Sequence, residues 1–180
     1  MDSDNPHKVS KLVLGGCRSG KSSYAQNWVR DNFDKKVFVA TLRPGDDREM
    51  LERVEFHQQS RGEGWQLIEA PYDLASVLRD TPEDSSSVLL IDCITMWLTN
   101  NLLLETGGKD LEEKIRELCG LIAACRKSVV LVANEVGLGI APDNYLGRHF
   151  RDVAGWTNQK LAEVCREVFF VAAGCSLKLK

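Results

Sequence analysis

Gly15-Gly16-Cys17-Arg18-Ser19-Gly20-Lys21-Ser22 follows the apolar run Leu12-Val13-Leu14 and satisfies the phosphate-binding pattern G-x-x-x-x-G-K-[ST]. Its setting decides its meaning. Strand-forming residues before it and a helical pattern after it place the glycines in a strand-to-helix turn, where successive backbone N–H groups point inward around phosphate oxygens. Glycine is required because a Cβ would hold the chain away from the anion. In such a loop Lys21 reaches the β- and γ-phosphates and Ser22 ligates Mg²⁺. The segment is read as a P-loop for a nucleoside triphosphate, not as a glycine-rich connector.

Outward from this loop, short β-rich runs alternate with longer helical patterns, the signature of a mainly parallel sheet with crossover helices. Strands are expected at 11–14, 36–41, 65–69, 88–92, 128–133, 168–172 and 177–180, and helices at 21–33, 46–61, 72–78, 95–104, 109–126 and 145–166. The stretch 81–87 reads as a solvated loop, and Thr106-Gly107-Gly108 as a helix stop. The expected fold is α/β: a three-layer P-loop NTPase-like domain, its mainly parallel sheet covered by helices on both faces and closed by a short C-terminal antiparallel strand. No repeat or linker divides the chain, so residues 11–180 are expected to form one domain behind a short, loosely held extension, 1–10.

Composition narrows the partners. With 23 Lys and Arg against 26 Asp and Glu in 180 residues, the net charge of −3 argues against a nucleic-acid or anionic-membrane surface. Phosphates must then be held by local groups. The opening residues carry no hydrophobic leader and no apolar run exceeds strand length, so a cytoplasmic protein without membrane insertion is expected. Six cysteines, at 17, 93, 119, 125, 165 and 175, form no C-x-x-C pair, which suits reduced thiols and not a zinc site.

Four further stretches carry candidate chemistry. Asp92 ends the run Val88-Leu89-Leu90-Ile91, where a P-loop protein places the carboxylate that holds Mg²⁺ opposite Ser22; a simple helix cap is the other reading. His57 shares a helical face with Arg53 and Arg61, four residues to either side. Such an imidazole can be kept neutral and nucleophilic while the guanidiniums brace an attacked phosphate. Periodicity alone favours the plainer alternative, an exposed histidine among salt-bridging charges. Glu69 closes the strand Trp65-Gln66-Leu67-Ile68; its carboxylate could accept from N1–H and the exocyclic amine of guanine, although a surface acid is the simpler reading. Finally, Asn134-Glu135-Val136-Gly137-Leu138-Gly139-Ile140-Ala141-Pro142 forms a shaped loop after a strand, followed by Arg148 and Arg151, spaced to act together on an anion or merely to lie on a helix surface. Nothing in its spacing pairs His149 with a carboxylate.

Taken together, the P-loop, the 53–61 segment, Leu90-Ile91-Asp92-Cys93-Ile94-Thr95-Met96-Trp97-Leu98-Thr99-Asn100, the 134–142 loop, Arg148-His149-Phe150-Arg151-Asp152, Asn158-Gln159 and Leu177-Lys178-Leu179-Lys180 resemble one family. It is that of the bifunctional adenosylcobinamide kinase / adenosylcobinamide-phosphate guanylyltransferases of cobalamin biosynthesis. The resemblance runs from about Lys11 to the C-terminus, and N-E-V-G-x-G-I followed by R-x-F-R-D and N-Q is its most particular part.

The resemblance implies phosphorylation of adenosylcobinamide by ATP or GTP, then transfer of GMP from GTP to adenosylcobinamide phosphate through a GMP–histidine intermediate. His57 matches the nucleophile, which reverses the plainer reading of it. Nucleotide contacts are implied for Gly15 to Ser22, for Thr41, Leu42 and Arg43, for Gln58, Gln59, Ser60 and Arg61, and for Glu69 and Asp92. Ser22 and Asp92 are the implied Mg²⁺ ligands, and a homotrimer is the implied assembly. Three positions depart from the family pattern: Phe56 where a second histidine is frequent, Ala133 where a hydroxyl residue is common, and Cys175-Ser176 in place of a proline-containing turn. The Ala133 departure could weaken a phosphate or substrate contact.

Because the γ- and α-phosphorus atoms lie several ångströms apart, two reactions on one triphosphate require either that the helix bearing His57 moves or that GTP binds in two ways. Two other functions remain open on the residues alone: a small-molecule kinase without nucleotidyl transfer, and a nucleotide-switched regulatory GTPase. The chain lacks the Asn-Lys-x-Asp guanine motif expected of the latter.

Overall fold

The computed structural model describes residues 8–43, 63–84, 86–104 and 107–180. The helix expected at 46–61 lies outside them. In chain order the elements are β1 (Ser10–Gly15), α1 (Lys21–Asn32), β2 (Lys35–Ala40), β3 (Trp65–Glu69), α2 (Leu74–Asp80), β4 (Ser87–Asp92) and α3 (Ile94–Leu103). Then come α4 (Gly107–Ala124), β5 (Ser128–Asn134), α5 (Tyr145–Val164), β6 (Glu167–Ala172) and β7 (Cys175–Lys178). The seven strands form one sheet in the order β3-β2-β4-β5-β1-β6-β7, parallel except for the antiparallel β6–β7 pair.

The near-continuous apolar runs of the central strands have a direct cause: both faces are covered. Along β1, Leu12 and Leu14 join a core with Val37, Ile91 and Leu131 against Leu74, Trp97, Ile115 and Leu161 of α2 to α5. Val13, between them, faces the opposite way and packs with Phe38, Leu90 and Val130 against Ala25 and Val29 of α1. The period of two divides each strand between these layers. Helix α4 answers with Leu111, Ile115, Leu118 and Ile122, all buried along one helical face.

Several details differ from the sequence expectations. Ser10 already belongs to β1, and the Val9 carbonyl accepts from Val129 N at 2.8 Å, so the chain is held before residue 11. Gly107 does not stop a helix but opens α4. Asp110 in its first turn complements the positive helix end, which a glycine-based reading of a stop overlooked. The last strand starts earlier than expected, because Ala173 (φ 50) and Gly174 (φ 78) form a two-residue turn with both φ values positive, the geometry that matches strand twist in a hairpin.

Lys11 is an unusual core residue at 2 % exposure. Its ammonium lies 3.3 Å from the Glu167 carboxylate and 3.5 Å from the Trp28 ring centroid. Lys178 bonds the other oxygen of Glu167 at 2.6 Å. A second buried lysine, Lys127, donates to the Leu78 carbonyl at the end of α2, where the helix dipole favours a cation. None of the six cysteines is paired, and no described helix is long and apolar enough to cross a membrane.

Candidate functional site

Parallel strands deliver their carboxyl ends to one sheet edge, where Gly15, Thr41, Glu69 and Asp92 among the predicted residues lie. Gly15 ends β1, Ala40 leads into Thr41, Glu69 ends β3, Asp92 ends β4 and Asn134 ends β5. In register, Gly15 lies opposite Asn134 and Asp92 opposite Val132, so β5 separates the P-loop strand from the Asp92 strand. Two strand spacings put their backbones about 10 Å apart.

The P-loop is held from three sides. Lys21, almost fully buried, reaches back to donate to the Gly16 carbonyl at 3.0 Å. The Glu135 N–H donates to the Gly15 carbonyl at 3.0 Å, and the Gly174 N–H of the β6–β7 turn to the Ser19 carbonyl at 2.8 Å. Gly20 caps α1 at φ 92 and offers no side-chain acceptor, so the first N–H groups of the helix keep their capacity for an anion. A Cβ at Gly20 would sit 3.1 Å from Gly174 Cα, and one at Gly15 only 2.4 Å from the Val171 carbonyl oxygen. Those glycines are therefore fixed by neighbouring backbone. Cys17 and Arg18 are exposed on the rim.

Two buried side-chain atoms lack a partner among the described residues: Ser19 Oγ and Asn134 Oδ1. Both belong to segments at this edge. Ser22, in the first turn of α1, and Asp92 supply a hydroxyl and a carboxylate, the hard oxygen donors that suit Mg²⁺. Among the described residues no cluster of three or more His, Cys, Asp or Glu could hold a metal by itself. That donor set fits an ion completed by phosphate oxygens and water. Asp92 is not the cap of α3; Cys93 holds that position, without a side-chain bond. Burial, reinforced by the Asp92 charge, pushes the Cys93 thiol up to about 12, which makes it inert at neutral pH.

At the second-strand exit the polar side chains already have partners within the protein. Thr41 is fully buried; its hydroxyl donates to the Cys93 carbonyl at 2.7 Å and accepts from the Cys93 N–H at 2.8 Å. With its hydrogen used, the side chain braces β2 against the Asp92–Cys93 corner. Leu42 is half-buried, whereas Arg43 is exposed and donates to the Tyr72 hydroxyl at 2.8 Å. Glu69 is exposed at the end of edge strand β3, beside a groove of about 580 Å³ that also borders Gln66, Tyr72, Asp73 and Asp80. His57, Gln58, Gln59, Ser60 and Arg61 lie outside the described residues.

Arg148 and Arg151 do not converge on an open anion site. Arg148 donates to the Pro142 and Asp143 carbonyls, and Arg151 to those of Gly137 and Gly139. They tie the 134–142 loop to α5, since carbonyls outside regular structure need donors. His149 stacks on Tyr145. Ala133 is buried in the core with Leu131 and Leu14, so the departure there removes no exposed contact.

Sequence reading missed the part played by α3. Trp97 Nε1 and Asn101 Nδ2 donate to the Tyr72 carbonyl, Asn100 Nδ2 donates to those of Thr41 and Pro71, and Thr95 Oγ1 accepts from the Asn134 N–H. One helix thus brackets the exits of β2, β3 and β5 while continuing from β4. The signal was Trp97-x-x-Asn100-Asn101, whose spacing puts an indole and two amides on one face.

Comparison with known proteins extends this picture. The model of the family described as cobinamide kinase / cobinamide phosphate guanyltransferase matches residues 11–179. The bifunctional adenosylcobalamin biosynthesis protein CobU of Escherichia coli (strain K12) is 40% identical over 181 residues, covering 94% of this chain and 98% of that protein. CobP of Pseudomonas aeruginosa, of the same description, is 38% identical over 169 residues, covering 94% of this chain and 96% of that protein. CobU of Salmonella typhimurium is 40% identical over 184 residues, with 94% and 98% covered. Among solved structures, the ATPase EscN of the enteropathogenic E. coli type III secretion system aligns with a TM-score of 0.55 at 14% identity, covering 92% of this chain and 43% of that one. The RadB recombinase aligns at 0.50 and 16% identity, covering 89% and 73%. At such identities the likeness is one of fold.

Proposed function

Since the chain belongs to the cobinamide kinase / cobinamide phosphate guanyltransferase family, we propose that it phosphorylates adenosylcobinamide with ATP or GTP and then transfers GMP from GTP to the phosphate so formed. The product is adenosylcobinamide-GDP. The observation that carries this reading is the assembled sheet edge: a braced P-loop beside a strand-end carboxylate, Asp92, in a chain that matches bifunctional relatives along nearly their whole length. On this reading the protein works in the cytoplasm as a homotrimer.

In the kinase step the cobinamide hydroxyl loses its proton and attacks the γ-phosphorus in line, the bond to the β,γ-bridging oxygen breaks and the nucleoside diphosphate leaves, while Lys21 and the P-loop N–H groups stabilise the charge that spreads over the transferring oxygens. Ser22 and Asp92 would hold Mg²⁺, which when bound offsets triphosphate charge. In the second step neutral His57 forms a P–N bond to the α-phosphorus of GTP and pyrophosphate leaves. The cobinamide phosphate oxygen then displaces His57 and takes the GMP. Dividing the transfer gives the anionic acceptor a separate encounter with the adduct after the pyrophosphate has departed. Glu69 reads guanine, and Arg43 and the 58–61 side chains steady the nucleotide. One fixed pose does not serve both phosphorus atoms, so either the segment bearing His57 moves or the triphosphate is bound in two ways.

Incubation with α-³²P-GTP followed by denaturing electrophoresis tests this directly. The expected result is an acid-labile, alkali-stable label on the wild-type chain and none on His57→Asn. Kinase turnover without any label would favour a small-molecule kinase alone, and label persisting in His57→Asn would overturn the assignment.

A further inference from the structure

We propose that Asn100 is a positioning residue for guanine selection: its amide sets the spacing of the two strand exits that carry Arg43 and Glu69. The inference rests on the reading of Glu69 as the guanine contact.

The last ladder bond between β2 and β3 runs from the Ala70 N–H to the Ala40 carbonyl at 2.8 Å. Beyond it the two chains part, one into Thr41, Leu42 and Arg43, the other into Pro71 and Tyr72. The Thr41 and Pro71 carbonyls there accept from one nitrogen, Asn100 Nδ2, at 2.8 and 2.9 Å. A single planar amide with its two hydrogens divided between two exits fixes their separation, because neither bond can shorten without disturbing the other. Further out, Arg43 and Tyr72 make a second, exposed cross-link at 2.8 Å. Glu69 lies just inside these links, at the end of β3.

Asn101 supplies an internal control. It is buried at 4 % exposure and donates to the Tyr72 and Trp97 carbonyls, while its own oxygen accepts from Lys114. Those bonds secure α3 without touching the β2 exit. Loss of Asn101 therefore weakens packing but leaves Thr41 and Pro71 bridged.

The P-loop receives no bond from Asn100; its links run to Glu135 and Gly174. Triphosphate binding and base selection are accordingly separable. Inosine triphosphate, which differs from GTP only by lacking the exocyclic 2-amine, reports on the contact that Glu69 makes.

The test measures equilibrium binding of GTP, ITP and ATP in a His57→Asn background, so that no adduct accumulates. A hydrogen bond to a charged group is expected to favour GTP over ITP by at least about tenfold before further substitution. Asn100→Ala should reduce this ratio to below about three while ATP affinity stays within about twofold, and Asn101→Ala should lower thermal stability with the ratio retained. An unchanged ratio in Asn100→Ala, an equal loss of ATP and GTP binding, or the same collapse in Asn101→Ala would each overturn the inference. Glu69→Gln separates the two layers: if it leaves the ratio intact, the guanine reading of Glu69 fails. If it collapses the ratio and Asn100→Ala does not, the positioning role alone fails.

Discussion

Gly15→Ala is the sharpest test of how the phosphate loop is held. An ideal Cβ at this position would lie 2.4 Å from the Val171 carbonyl oxygen and 2.6 Å from Ser19 Oγ. Ser19 can rotate, but Val171 cannot easily yield: β6 is paired with β1 on one side and with β7 on the other. An approach of about 3 Å is the least a real Cβ tolerates, so backbone must separate by about 0.6 Å where β1 passes into the loop. Overpacking of this kind costs about 1–3 kcal/mol. For a chain of this size that corresponds to a fall in Tm of about 3–10 °C. The same displacement misaims the N–H groups that receive phosphate, so ATP affinity should drop at least about tenfold. Gly16→Ala is the matched control, since its Cβ meets nothing within 4 Å, and its Tm should stay within about 1 °C of wild type. Differential scanning calorimetry with titration of ATP gives both quantities. A Gly15→Ala protein with wild-type Tm and affinity would refute this account of the loop.

Other substitutions follow from the same structure. Glu167→Gln leaves the buried Lys11 ammonium without its counter-charge and should cost about 2 kcal/mol at neutral pH, read by urea denaturation. Burial alone would raise the Glu167 carboxyl, but Lys178 and Lys11 together hold it below its ordinary value, so its stabilisation is complete above about 4.5. The gap between the two proteins should therefore close as pH falls below that value, and a gap that widened in acid would contradict the assignment. Burial outweighs the Glu167 attraction at Lys11 and lowers its pKa below 10.5, so the unfolded chain binds more protons there and this group's contribution should rise with pH up to about that value. Arg151→Met removes the donors to Gly137 and Gly139 and should speed amide hydrogen exchange across 137–141 by about tenfold, while β1 to β5 remain protected. Uniform protection in that variant would show that the loop is held by other contacts.

Elements whose residues carry their own instructions were legible. Every described strand was anticipated within about two residues, and for the central strands the reason is that two-sided burial writes itself as apolar runs such as Val88-Leu89-Leu90-Ile91. The helix beginning at Lys21 followed from the P-loop pattern itself. Errors occurred where local and distant forces compete. Gly107 reads as a stop by propensity, yet it opens a helix whose buried stripe, Leu111 to Ile122, dominates its energetics. The spacing of Arg148 and Arg151 left an anion site and a plain helix surface equally open, and neither reading shows that they grip carbonyls of their own loop.

By itself the sequence determined that this chain binds a nucleoside triphosphate on a parallel α/β sheet and belongs with the cobinamide kinase and guanyltransferase proteins. Those properties reside in short contiguous patterns, Gly15 to Ser22 for the triphosphate and the 134–140 and 148–152 stretches for the family, whose chemistry depends on residue type and spacing. Only the tertiary structure decided which strand exits Thr41 and Asn100 hold together. Thr41 braces Cys93 and Asn100 bridges Thr41 to Pro71 across sequence separations of 52, 59 and 29 residues. A hydrogen bond is set by distance and direction in space, and residues that far apart in the chain acquire both only when the sheet assembles.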